Sequence, residues 1–164
     1  MSKTEKNLAD AFAGESQANR KYLAFAGKAE KEGFTQAAKL FRAAADAETV
    51  HAHNHLRALK GIKSTAENLQ EAIGGETYEF ESMYPPMIDD ARAEDNKAAL
   101  RTFEYANEVE KVHAGLFKKA AEKMDKLEET DVYVCQTCGN TVEGEPPDKC
   151  PICNSPKKSF KKVD

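Results

Sequence analysis

The stretch Asp46-Ala-Glu48-Thr-Val-His51 recurs in form as Glu108-Val-Glu110-Lys-Val-His113, and both reduce to Glu-x-x-His. Residues three apart share a face of an α-helix, so each motif aims a carboxylate and an imidazole at one point in space. Two such motifs on separate helices, joined by a glutamate from each of two further helices, make a nest of oxygen and nitrogen donors for a pair of metal ions. The fold therefore turns on whether the chain supplies those two helices and their glutamates.

Hydrophobic periodicity supplies them. A first helix is expected from about Thr4 to Glu32, with Leu8, Phe12, Glu15, Asn19, Tyr22 and Phe25 at helical spacing and Gly33 as its stop. A second begins at Phe34 or Thr35, carries Leu40, Phe41, Glu48, His51 and His55, and ends at Gly61. Ser64-Thr-Ala-Glu67 is a capping box that opens a third, which runs through Ile73, Glu76, Glu79, Met83 and Tyr84. Gly74-Gly75 and Pro85-Pro86 fall inside that pattern and predict strain or a kink. A last helix is expected from about Asn96 to Glu128. Four long helices with short or modest connections read as an antiparallel bundle.

Glu15 stands among Ala11, Phe12, Ala18 and Tyr22, on a face that must turn inward. Glu76 and Glu79 stand among Ile73, Tyr78, Phe80 and Met83. An unpaired carboxylate in such a place costs several kcal/mol or stays protonated, whereas a divalent ion supplies the missing charge. The inward set is Glu15, Glu48, His51, Glu76, Glu79, Glu110 and His113. Glu81 and Glu108 fall off the ligand face, His53 reads as a surface residue, and His55 as a packing residue one turn beyond His51.

All four cysteines lie in the tail as Cys135-x-x-Cys138 and Cys150-x-x-Cys153, after the helical pattern stops near Asp131. Each pair forms a knuckle with two thiolates on one ion, and together they give a tetrahedral four-sulfur site. About thirty residues bury little core, so the metal must hold this unit together. Spacing alone leaves iron and zinc both open. The division expected is a helical bundle over residues 1–130 and a metal-bound tail over 131–164. With a formal net charge of -4 and no basic block, the composition argues against nucleic acid. The chain has no apolar run of about 18 residues and no signal-like N-terminus, so a cytoplasmic protein without a membrane partner is expected.

Over essentially its whole length the chain resembles a rubrerythrin. The residues that carry the likeness are Ala11-Phe-Ala-Gly-Glu15-Ser-Gln-Ala-Asn, Glu48-Thr-Val-His51-Ala, Gly75-Glu76-Thr-Tyr-Glu79 with Met83-Tyr84-Pro85, Glu110-Lys-Val-His113, and Tyr-Val-Cys135-x-x-Cys-Gly with Cys150-Pro-x-Cys. The second glutamate of the third helix separates rubrerythrins from ferritins and bacterioferritins. The resemblance implies an all-α, ferritin-like four-helix bundle followed by a small rubredoxin-like β/knuckle domain. It implies a non-haem di-iron site with Glu48 and Glu110 bridging. One iron would take Glu15 and exchange Glu79 against His51, and the other would take Glu76 and His113. Tyr22 and Tyr84 match tyrosines that hydrogen-bond the ligand carboxylates, and the tail would be an Fe(Cys)4 centre. Asn154 stands where the family usually has glycine after the second knuckle, and asparagine is the next best residue for a left-handed backbone.

The activity so implied is reduction of hydrogen peroxide, an oxidative-stress defence, with electrons from a rubredoxin or an NAD(P)H-linked reductase. A ferroxidase and a non-enzymatic bundle with a structural zinc tail are the rival readings. With helix running to Glu128, the tail would begin about 27 Å along the axis from His113. The linker Glu128–Asp131 would be too short to fold it back, so the relay is expected to cross between the subunits of a head-to-tail homodimer.

Overall fold

The computed structural model describes residues 1–163. It shows the expected class, a helical bundle followed by a small antiparallel sheet domain. By compactness the chain divides into Met1–Lys63 and Ser64–Asp164.

The first unit is a helical hairpin of α1 (Lys3–Lys31) and α2 (Thr35–Ala58). Ser2 caps α1 by accepting from the Glu5 amide while the Glu5 carboxylate accepts from the Ser2 amide, which satisfies two orphan donors of the first turn. Gly33, at φ 83°, makes the reversal that a side chain would resist. The helices meet along small residues: Ala26, Ala29, Ala38, Ala45 and Ala52 are all buried. Methyl-sized side chains let the axes approach closely. That brings the Asn19 amide within 2.7 Å of the Ala45 carbonyl and 2.8 Å of the Thr49 hydroxyl on the facing helix. Tyr22, Phe25 and Phe41 form an aromatic trio, with Phe25 edge-on to Phe41 at 5.6 Å between ring centres.

The second unit opens with the expected capping box, Ser64 and Glu67, at the start of α3 (Thr65–Tyr78). Gly74 and Gly75 sit inside regular helix. The irregularity falls instead at Glu79–Met83, a π-helical segment leading into α4 (Tyr84–Ala93). Its cause is chemical. Pro85 and Pro86 have no amide proton to give the carbonyls four residues back, and the ladder widens so that the Tyr84 amide reaches the Glu79 carbonyl. Asn96 caps α5 (Lys97–Lys123) by accepting from the Ala99 amide.

The end of α5 corrects the sequence reading. The helix stops at Lys123 rather than Glu128, followed by a single 3-10 turn, Met124–Lys126. Met124 adopts φ 37° and ψ -106°, a conformation no helix continues. Ten residues of helix separate His113 from Lys123, about 15 Å of rise, whereas an extended Met124–Asp131 can span about 26 Å. The chain therefore has ample length to return along its own helix, and it does so.

The returning segment forms β1 (Val132–Cys135), β2 (Thr141–Glu143) and β3 (Phe160–Val163), an antiparallel sheet in the order β2-β1-β3. Tyr133 pairs with Val142 on one side and Lys162 on the other. Lys119 of α5 forms an ion pair with Glu143 of β2. A β-carbon on Gly139 would lie 3.7 Å from the Val109 methyl of α5. The tail thus packs on the helix that carries the second Glu-x-x-His.

Candidate metal centres

Three clusters of ligand-type side chains stand out among the described residues, and each combines donors that sequence spacing had singled out. In the first unit, Glu15 of α1 meets Glu48 and His51 of α2, with donor atoms within 4.8 Å of one another. His51 Nδ1 lies 2.8 Å from Glu48 Oε2, the contact that a three-residue helical offset provides. His53 is exposed and His55 half-buried.

In the second unit, Glu76 of α3 meets Glu110 and His113 of α5. His113 Nδ1 is 2.7 Å from Glu110 Oε2 and 3.8 Å from Glu76 Oε2. Burial raises the Glu76 carboxyl above its ordinary value, and the hydrogen bond and charge of Glu110 add to that, with His113 opposing. Glu79 is raised by burial first and by Glu76 second. Tyr84 is raised by burial and then by the charges of Glu79, Glu110 and Glu76. Crowded, half-buried carboxylates of this kind hold protons in the absence of a cation and release them to one. Two carboxylates and one imidazole recur in both clusters, a hard oxygen-rich donor set with nitrogen that suits iron or manganese. Glu81 and Glu108 are exposed, and Glu108 pairs with Lys111 at 2.5 Å.

The other ring nitrogen of His113 shows a contact that sequence reasoning missed. His113 Nε2 lies 2.9 Å from Thr141 Oγ1 in the tail, and Thr141 Oγ1 lies 3.2 Å from the Gly139 carbonyl. No sequence pattern marks Thr141. Its place depends on the chain reversal at Met124. The expectation that the tail lies far from its own His113, out of reach of a short linker, is overturned by this contact, and the distance argument for borrowing a partner's tail falls with it.

The third cluster is Cys135, Cys138, Cys150 and Cys153, all free thiols. Cys135 and Cys153 sulfurs are 3.7 Å apart, and Cys138 and Cys150 sulfurs 3.6 Å. A tetrahedron with metal–sulfur bonds of about 2.3 Å has edges of about 3.8 Å, so the four sulfurs already stand close to the corners of a metal site. Burial pushes the Cys138 thiol up. At Cys153 burial acts in the same sense, but hydrogen bonds from the Ser155 hydroxyl and amide, Cys138 and Cys150 bring the thiol down to about 6. Asn154 takes φ 60°, the left-handed conformation expected of it in place of glycine.

Comparison with known proteins agrees with this donor inventory. The family model described as Rubrerythrin matches residues 6–121, and the model described as the rubredoxin-like domain of rubrerythrin matches 133–161. Rubrerythrin-2 of Clostridium acetobutylicum is 37% identical, over 93% of this chain and 92% of its own. Rubrerythrin of Nitratidesulfovibrio vulgaris is 34% identical, over 97% of this chain and 93% of its own. A solved structure of nigerythrin in a mixed-valence state superposes with a TM-score of 0.59 at 35% identity, covering 99% of this chain and 88% of that one. The cofactors are accordingly a rubrerythrin di-iron site and a rubredoxin-like four-cysteine site. The chain belongs to the rubrerythrin family.

Proposed function

We propose that the protein is a peroxidase that reduces hydrogen peroxide to water, with residues 1–130 providing the di-iron ligands and 131–164 the electron relay. The observation that carries this reading is the seat of the four-cysteine tail: it lies on α5 with Thr141 against His113, a one-electron centre beside a ligand helix. A protein that only stored or oxidised iron has no use for such a neighbour.

Glu15, Glu48, His51, Glu76, Glu79, Glu110 and His113 are the proposed ligands of the two irons, with Glu48 and Glu110 bridging. The irons, when bound, supply the two electrons that break the O–O bond. The protein's own groups prepare the place for that event. Glu79 opens the π-helical segment, and its carboxylate would be the ligand that alternates with His51 in holding one iron. The Tyr84 hydroxyl, which feels the charge of Glu79, Glu110 and Glu76, is proposed to donate a hydrogen bond to one of them and to hold it in orientation. Tyr22 is proposed to do the same for the α1–α2 ligands. An external one-electron carrier, a rubredoxin or an NAD(P)H-linked reductase, would refill the tail, and the work is one of oxidative-stress defence in the cytoplasm.

The test is a rate comparison on anaerobically reduced, iron-loaded protein with metal content measured. Peroxide should oxidise it at least tenfold faster than oxygen does at equal concentration. Faster oxidation by oxygen would move the protein to the ferroxidases, and a purified chain with one zinc and no iron would make it a structural bundle.

A further inference from the structure

One side of α5 carries a stripe that begins at a ligand-type residue and continues as hydrocarbon. Leu116, Phe117 and Ala120 follow His113 by three, four and seven residues, so all four share a helix face. From His113 to Ala120 the helix rises about 10 Å. The stripe forms one wall of a cavity of about 390 Å³ that lies wholly within the second unit. Glu76 of α3 also lines it, and its Oε2 is 3.8 Å from His113 Nδ1, so the two mark a polar end. Val132 of β1, with Thr141 and Glu143 of β2, supplies the wall contributed by the tail. Leu116, Phe117, Ala120 and Val132 are each half-buried, and the Glu143 carboxylate is answered by Lys119.

A cavity with a polar end and an apolar body has the anatomy of a small-molecule site, for which about 300–1,000 Å³ is the ordinary size. Hydrogen peroxide does not account for it. A molecule of two oxygens has no apolar surface to set against Leu116, Phe117, Ala120 and Val132. We infer that the cavity takes the hydrocarbon body of a neutral organic hydroperoxide, with its O–O group at the Glu76 and His113 end. The inference rests on the peroxidase reading given above and names a substrate class for it. Two carboxylates and, among the described residues, no lysine or arginine line the cavity, which disfavours a hydroperoxide that carries its own carboxylate. A wall of about 10 Å suits an aryl or short branched alkyl group, and each methylene buried against it raises affinity about fourfold. The electron count is that of hydrogen peroxide. The O–O bond breaks, two ferrous ions each give one electron and become ferric, and with two protons the halves leave as an alcohol and water.

Cumene hydroperoxide and tert-butyl hydroperoxide share the reacting group and differ in the hydrocarbon, so together they isolate what the cavity does. Anaerobically reduced, iron-loaded protein should be oxidised by cumene hydroperoxide at least tenfold faster than by tert-butyl hydroperoxide at equal concentration. Ala120→Trp, which fills the cavity, should lower the ratio of the cumene hydroperoxide rate to the hydrogen peroxide rate at least tenfold, and Ala120→Leu should lower it less. Binding is read apart from reaction in zinc-loaded protein, with cumyl alcohol, the expected product, as the probe. Saturable NMR shifts are expected at the methyl groups of Leu116, Ala120 and Val132 in the parent, with affinity at least tenfold weaker in Ala120→Trp. Circular dichroism and metal content check the fold of each variant, and Ala120→Leu carries the test where the tryptophan chain does not fold. Equal rates for the two organic hydroperoxides in the parent would overturn the substrate class, as would an unchanged ratio in a folded variant or an absence of shifts with cumyl alcohol. Reduced protein that none of the three peroxides oxidises would instead overturn the peroxidase reading itself.

Discussion

Glu76 Oε2 lies 3.8 Å from His113 Nδ1, so α3 and α5 share one imidazole between a carboxylate of their own helix and one of the neighbour. Neither helix completes the cluster alone. The packing of α3 on α5 and the affinity for metal are therefore linked quantities, and ligand loss should be felt in both.

Replacing Glu110 by alanine removes the carboxylate that touches His113 and adjoins Glu76. Loss of groups that merely orient ligands weakens a metal site by about 10–100-fold, so loss of a proposed bridging ligand should exceed that. The expected outcome is loss of the di-iron absorption and of peroxide turnover with the helical circular dichroism retained, and Glu48→Ala should match it. Full activity in either variant would remove both residues from the ligand set.

Glu79→Ala should behave differently. The other six proposed ligands remain, so two irons should still bind by metal analysis, while peroxide reduction slows. Parent-rate turnover would show that the carboxylate on the π-helical segment does not tune the site.

Metal uptake should depend on pH with a definite sign. Glu76 is raised above 4.5 by burial and by Glu110, and Glu79 by burial and by Glu76, so in metal-free protein their ionisation opposes folding. Stability from these groups is whole below 4.5 and declines as pH rises through the raised values. A cation reverses the preference, and its affinity should climb with pH over that same window as protons are displaced. With the cysteine site already filled, zinc titrations by calorimetry in buffers of different ionisation heat should register this proton release. It should shrink in a Glu76→Gln, Glu79→Gln double variant. Equal proton release by parent and variant would locate the protons elsewhere.

At the second knuckle, Asn154 holds φ 60°. Asn154→Gly should leave the zinc-loaded tail as stable as the parent or slightly more so. A β-branched residue there meets a steric penalty of about 1–2 kcal/mol, so Asn154→Val should lower the melting temperature and speed metal loss to a chelator. Equal melting of the valine and glycine variants would mean that the knuckle relaxes around the side chain.

The helices were legible because burial periodicity, capping boxes and stop glycines are local signals, and Ser64–Glu67 and Gly33 act where their chemistry says they should. The three ligand clusters were legible because Glu-x-x-His and Cys-x-x-Cys fix donor separations within a turn or a knuckle. The π-helical segment was only half legible. Two prolines announced a disturbance, but whether the ladder breaks or widens depends on packing around Glu79. The end of α5 was not legible, since Lys123-Met-Asp-Lys126 is an acceptable helical sequence and only the docking of the sheet on Val109 and Lys119 favours the sharp turn at Met124. Thr141 could not be found at all without that turn.

The reversal at Met124 also makes the tail a tethered ligand of its own helix. A short link holds a binding module at an effective concentration in the millimolar range, so a contact too weak to assemble from separate pieces can still form within one chain. The seat on α5 includes an ion pair, a threonine–histidine hydrogen bond and a glycine facing a valine. Such a seat has no need of high intrinsic affinity, and its residence time is set by chain length as much as by contacts. Lengthening the segment 127–131 would dilute the tail without altering a single residue of either metal centre.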